Sequence, residues 1–507
     1  MSEASGTPLS KLIVLIAGLS SVVLISLVLF EDLSPATPGL KKVSCWFEQE
    51  RDWPPSSCYF MTVYEVPGDP HSQLIRFPVI RFHAKGGDKN PVLDLGGGGP
   101  GFPAGLDSDS FNRYHWYSYK QLSLDIGRDL YLMDPRGVGM AEPRLYCQEF
   151  IDLAPKLLSE PYTRTQEMSA TLASEQLCRD RWRAAGHQVG AYHSLSVAQD
   201  VEQLRQALGV AQWNFVSVSY ATRYALTYAR EFPGNVEAMV LDGAVFPNIR
   251  YEEKRALSDS SAFHNAFAWC AEDSHCARQY PFIEQRFWRM VNQLNAAPQR
   301  MTVANPVDGK PLEFALTGDR FYDAVFFQLY IEEYLTKLPA IIADLEQGST
   351  NKVSETVTDY VSYLLDSSVA DVTIASHYCY EEYPFVDADK RAADGAHANH
   401  YLQQRDEENI EFDKNWCALW LPGEAAPAKE GMAVVTDVPT LFIHGRLDPV
   451  LPVEDIAPQL VNFTRGALEI FDDYAHSVIA ASACAETAAG LFYEHHLQYR
   501  QFLRCNH

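Results

Sequence analysis

Residues 213–226, Trp-Asn-Phe-Val-Ser-Val-Ser-Tyr-Ala-Thr-Arg-Tyr-Ala-Leu, set an apolar strand, a one-residue corner and a helix end to end. Ser219 occupies the corner. A strand that turns straight into a helix lifts the corner side chain above the sheet edge and aims the unpaired N–H groups of the new helix at whatever binds there. Strand and helix backbones nearly touch at such a corner, so small residues are needed two before and two after it, and glycine is usual. Here they are Ser217 and Ala221, which fit but add atoms, so strain or a displaced Ser219 is expected. Taken alone, the segment reads first as an ordinary buried strand running into a core helix.

A serine nucleophile needs a base and an orienting acid, and a parallel sheet brings both to the same edge when they follow later strands in the order Ser, Asp, His. Residues 439–444 form a compact apolar run that ends at Gly445-Arg446-Leu447-Asp448-Pro449, which places Asp448 in the loop beyond the strand. Residues 467–471 form another, followed by Asp472-Asp473-Tyr474-Ala475-His476. Singly, Asp448 reads as a turn former before proline and His476 as a helix-starting polar residue; together they complete the set. Asp242, at the end of the apolar run 238–241, is the second choice of acid.

The run 91–95 opens into Gly96-Gly97-Gly98-Gly99-Pro100-Gly101. In an acyl-transfer site such a loop offers a backbone N–H to the developing oxyanion, here that of Gly99, and the residue after the nucleophile, Tyr220, offers the other. Gly96, Gly98 and Gly101 also satisfy a dinucleotide-binding pattern. That reading lacks the helix that should receive a pyrophosphate, since Phe102-Pro103-Ala104-Gly105 reads as loop.

Gly98-Gly99-Pro100-Gly101, Asp134-Pro135-Arg136-Gly137-Val138-Gly139, Ser219-Tyr220 and Gly445-Arg446-Leu447-Asp448-Pro449 resemble the α/β-hydrolases of the proline iminopeptidase and tripeptidyl aminopeptidase group. The resemblance spans residues 42–250 and 435–507. It implies an α/β fold with a mostly parallel sheet, an oxyanion hole in the glycine-proline loop, a supporting Asp-x-Arg-Gly-x-Gly loop, and a Ser219, Asp448, His476 triad working without cofactor or metal. Ser217, Ala221 and Ala475 depart from the family's usual glycines. The implied activity is that of a serine aminopeptidase acting on free peptide amino termini through an acyl-enzyme. The same triad would also serve an esterase or small-amide hydrolase, and a displaced Ser219 would leave a peptide-binding protein.

From residue 74 apolar strands alternate with helical patterns, as expected of a sheet covered on both faces. Ser196 is placed to cap a helix with Val197, Val201, Leu204 and Leu208 on one face, stopped by Gly209. After Pro247 the strand pattern gives way to aromatic-rich helical periodicity, as over residues 321–335, with loops at 304–310 and 422–427. Residues 251–434 are therefore expected to form a helical cap inserted into the core. Within it, Cys379-Tyr380-Glu381-Glu382-Tyr383 matches a cap segment that lies near the pocket in the resembled family. That match implies that Glu381 foremost, with Glu382 beside it, holds the substrate's amino group. Two solvated glutamates next to a disulfide would read the same way.

The formal charge of -25 over 507 residues, with no run rich in Lys or Arg, argues against nucleic-acid binding. Residues 12–30 are continuously apolar, and at ~1.5 Å per residue they reach roughly 28 Å, a membrane's hydrocarbon thickness. Lys11 before them and Glu31 and Asp32 after them favour an anchor with the catalytic body outside, in the cell envelope or beyond; cleavage near Ala36 is the alternative. The 10 cysteines suit disulfides of an oxidising compartment, and sequential pairing is the most economical connectivity. Neither Cys-x-x-Cys nor His-Glu-x-x-His occurs, so a metal site is not expected.

Overall fold

The apolar runs become the inner strands of one nine-stranded sheet, ordered β1-β2-β3-β5-β4-β6-β7-β10-β11. The computed structural model describes residues 37–49, 51, 53–96, 98–107 and 114–505. β1 (Gly39–Val43), β2 (Ser56–Tyr64) and β3 (Leu74–Phe82) are antiparallel at one edge, and β3 pairs antiparallel with β5 (Leu130–Met133). From β5 onward all pairings are parallel, through β4 (Val92–Asp94), β6 (Trp213–Val218), β7 (Val236–Asp242), β10 (Thr440–Gly445) and β11 (Gly466–Phe471). After β4 the chain moves to one neighbour, β5, and then returns to the other side as β6. This reversal opens a crevice at the carboxyl ends of β4 and β6, where open α/β sheets bind their ligands.

Every residue of β4, β6 and β10 is buried, as continuous rather than alternating apolar runs require when both faces are covered. Helices α1 (Ser194–Leu208) and α2 (Ala221–Glu231) pack on one face. Gly209 ends α1 in the left-handed conformation, and Val197, Val201 and Leu204 are buried as expected. The start of α1 differs from the sequence expectation. It begins at Ser194 rather than behind a Ser196 cap, because the Ser194 hydroxyl is drawn to Glu381 and Ser196 lies within the helix.

Between β7 and β10 the chain builds a second core. The helices of this segment include α3 (Arg255–Glu272), α4 (Gly318–Gln328), α5 (Glu332–Glu346), α6 (Ser354–Leu364), α7 (Asp371–His377) and α8 (His400–Trp420), of which α7 and the end of α8 pack into the first core. This segment is not wholly helical. β8 (Gln299–Ala304) and β9 (Pro311–Leu316) pair as an antiparallel hairpin around the loop anticipated at 304–310. Met301, Val303, Leu312 and Phe314 turn inward from it at period two, a signal too short to be separated from helix in the sequence. After β11, α9 (Ala483–His495) covers the other face of the sheet with Phe492 and Tyr493.

All ten cysteines are bridged in sequential order: 45 with 58, 147 with 178, 270 with 276, 379 with 417 and 484 with 505. The apolar stretch 12–30 lies outside the described residues, and among those described no helix is long and apolar enough to cross a membrane.

Candidate active site

Ser219 follows the last residue of β6 with φ of 56°, a left-handed conformation that costs a non-glycine residue about 1–2 kcal/mol. The corner is held from both sides. The Ser219 N–H donates to the Asp242 carbonyl at 2.8 Å, and the Ser219 carbonyl accepts from Thr222 N at 3.0 Å. Ser217 and Ala221 are fully buried, and the Ser217 hydroxyl has no partner among the described residues, so the glycine-sized space is filled by two slightly larger groups. Gly98 lies directly against the serine: a methyl group there would fall 2.6 Å from Ser219 Cβ and 2.8 Å from Oγ. The glycines of this loop therefore permit contact between the loop and the corner side chain.

His476 and Asp448 emerge beyond β11 and β10. His476 Nδ1 lies 2.7 Å from Asp448 Oδ2, while Asp448 Oδ1 accepts from Val450 N at 3.0 Å and Leu451 N at 2.9 Å. This arrangement places the proton on Nδ1 and leaves Nε2 as the acceptor. Burial disfavours both charged forms. Their mutual attraction and hydrogen bond outweigh it, so the imidazole is held above its ordinary pKa and the carboxyl below. Asp242, the second-choice acid, is engaged elsewhere: its Oδ2 accepts from Ile479 N at 2.7 Å, and burial pushes its carboxyl up to about 7.

Asp242 and Gly243 link the serine to the histidine. The Asp242 carbonyl holds the Ser219 N–H, and a methyl group on Gly243 would lie 3.2 Å from His476 Cε1 and 3.5 Å from Asp448 Oδ2. Ser219 and His476 thus flank the same two residues without a direct hydrogen bond between them; contacts of this kind commonly tighten only when substrate binds.

Gly99 and Tyr220 line a cavity of about 530 Å³ together with Ser219. Among the described residues neither N–H is taken by another protein group, and Tyr220 caps α2, where helix N–H groups point outward. The loop is braced from behind. Asp134 accepts from Ala104 N at 2.7 Å and Met140 N at 2.9 Å, and Arg136 is clamped by Asp200 at 2.6 and 2.7 Å.

The helical segment supplies the opposite wall, including Tyr330, Tyr378, Glu382 and Trp416. The two adjacent glutamates take different positions. Glu381 does not line the cavity; it is 1% exposed, with Ser194 Oγ at 2.5 Å, Tyr220 Oη at 3.0 Å and Arg223 Nε at 3.6 Å. Glu382 does line it, with Oε1 bonded to Arg223 and 3.2 Å from Tyr220 Oη. Burial, reinforced by the charge of Glu381, pushes the Glu382 carboxyl up to about 7 despite Arg223. The π-helical turn Tyr378–Glu382 makes this division, rotating successive side chains differently from an α-helix. Arg223, on the helix after the serine, and Tyr330, whose ring meets that of His476 edge to face at 5.1 Å, had no distinguishing sequence signal beyond aromatic richness.

A family model described as alpha/beta hydrolase fold matches residues 98–312. The sheet reversal at β4 and β6 and the left-handed serine between β6 and α2 agree with that match. The chain has the α/β-hydrolase fold. Among its relatives, the Escherichia coli K12 protein YuaR is 29% identical over 250 residues, 46% of each chain. Serine protease Hip1 of Mycobacterium tuberculosis H37Rv is 26% identical over 437 residues, 82% of this hydrolase and 81% of that protein. A tripeptidyl aminopeptidase of Streptomyces lividans is 28% identical over 216 residues, 40% of this hydrolase and 38% of that protein. The hydrolase thus matches less than half the length of YuaR and of the Streptomyces protein.

Proposed function

We propose that this hydrolase is a serine aminopeptidase of an oxidising compartment, anchored through or exported by residues 12–30, that releases residues or short peptides from free amino termini. His476 Nε2 takes the Ser219 proton as Oγ attacks the scissile carbonyl. The Gly99 and Tyr220 N–H groups receive the oxyanion, and Asp448 stabilises the imidazolium. His476 returns the proton to the departing amine, and water, activated by the same imidazole, hydrolyses the acyl-enzyme. Five disulfides support the compartment.

The observation that carries the peptidase reading is Glu382 in the same cavity as Ser219. Glu381 and Glu382 share one guanidinium, Arg223, so that wall carries a surplus negative charge. The rest of the lining adds to it, with Glu252, Asp259, Asp323 and Asp413 against Arg164, Arg255 and Arg405. A substrate ammonium docked at Glu382 would favour its carboxylate and fix the register of cleavage from the chain end. The names of Hip1 and the Streptomyces relative agree with such chemistry. The test is a peptide library offered with free and with acetylated amino termini, its products read by mass spectrometry. Cleavage confined to free termini is expected; equal cleavage of both would overturn the aminopeptidase reading in favour of a general amidase or esterase.

A further inference from the structure

The two halves of the proposed machinery, the glycine-proline loop and the imidazole, belong to distant parts of the sheet, and aromatic rings of the helical segment connect them. Phe102, on the loop, stacks on Tyr363 of α6 with centroids 5.8 Å apart and planes at 1°. Tyr363 stacks on Phe327 of α4 at 5.0 Å. Phe327 meets Tyr330 at 6.4 Å, and Tyr330 meets His476 at 5.1 Å with planes at 77°.

Both ends of this series are in close contact with the site. Phe102 N donates to the Gly99 carbonyl at 3.2 Å, and a methyl group on Gly99 would fall 2.5 Å from the Phe102 ring, so the ring packs on the residue whose N–H faces the oxyanion. At the other end the imidazole has Gly243 beside Cε1, Asp448 on Nδ1 and Tyr330 on its ring. Asp448 fixes one nitrogen, and a ring held at one atom retains rotational freedom that a packed neighbour removes. Tyr363 does not line the cavity, so it can affect the site only through its neighbours.

We propose that Phe102, Tyr363, Phe327 and Tyr330 form an aromatic bridge through which the helical segment sets the glycine loop and the His476 ring together, with Tyr330 as a positioning residue for the imidazole. This rests on the assignment of Ser219 and His476 under the proposed function, though not on the peptide preference. Seating of the helical segment is then a condition for proton transfer as well as for enclosing substrate.

The rate at which a fluorophosphonate labels Ser219 in the purified full chain tests the bridge without any peptide. Edge-to-face and stacked ring pairs carry enough energy for Tyr330→Leu and Tyr363→Leu each to slow labelling about three- to tenfold. Melting temperatures should fall by no more than a few degrees, and Tyr330→Phe and Tyr363→Phe should label at the parent rate. The acid limb of the labelling profile moves in Tyr330→Leu, and the double leucine variant loses less than the product of the single losses, as coupled positions do. Unchanged rates, losses that multiply, or losses that track a fall in melting temperature would overturn the bridge. A parent chain unlabelled at Ser219 would instead overturn the assignment of the nucleophile, and the bridge with it.

Discussion

Gly243 shows how a single residue without a side chain can make room for two others to pack against it. It has φ of 58°, and its Cα approaches both His476 and Asp448. Gly243→Ala is therefore expected to cost about 1–2 kcal/mol in backbone strain and to push the imidazole aside. Hydrolysis of an aryl ester should fall at least about tenfold in kcat, each 1.4 kcal/mol being a factor of ten. At Glu382 the expected change is in binding. A charge-assisted hydrogen bond is worth about 1.5–3 kcal/mol, so Glu382→Gln should raise KM for free-amine peptides about 10- to 100-fold while leaving ester turnover unchanged. The pH profile follows from the same groups. On the acid side, His476, held above its ordinary pKa, takes up a proton and then cannot accept that of Ser219, and Glu382, at about 7, becomes neutral and cannot pair with an ammonium. Peptide kcat/KM is thus expected to rise through about pH 7 and to fall above about pH 8, where the substrate's α-amino group loses its proton. Ester hydrolysis should show the acid limb alone. At this scale the sequence identified which residues could meet, because parallel strands deliver their following loops to one edge. It put Glu381 foremost, whereas Glu382 is the one that lines the cavity, since the two differ only by their angle in a π turn.

Among the elements, that turn carries Glu382 to the cavity, and the Cys379–Cys417 bridge fastens it to α8. The bridge spans 38 residues, a closure expected to contribute about 4 kcal/mol by restricting the unfolded chain. Cys379→Ser combined with Cys417→Ser should lower the melting temperature and raise peptide KM; a variant with parental values for both would show that the turn is held without the bridge. The elements were unevenly legible from sequence. Long runs such as β6 and β10 stand out because burial on both faces demands unbroken apolarity. The β8–β9 hairpin did not stand out, because its six-residue strands alternate with too few inward positions to outweigh the helices around them. Tyr330 is similar. Aromatic periodicity over 321–335 marked a helical wall, but not which ring would reach the histidine across the cavity.

For the molecule as a whole, the sheet brings Ser219, Asp448 and His476 from three separate loops to one edge, and the segment between β7 and β10 helps to wall a cavity of about 530 Å³ that Ser219 lines. The excess of acidic side chains persists from the whole chain into that cavity, which suits a cationic substrate end better than a carboxylate one. The central claim is that Ser219 is a nucleophile activated by His476 and oriented through Asp448, and covalent labelling tests it most directly. A fluorophosphonate added to the purified chain, followed by digestion and mass spectrometry, should place a single adduct on Ser219. The adduct should vanish in Ser219→Ala and form far more slowly in His476→Ala, with both variants folded. An adduct on another residue, or undiminished labelling in Ser219→Ala, would contradict the account.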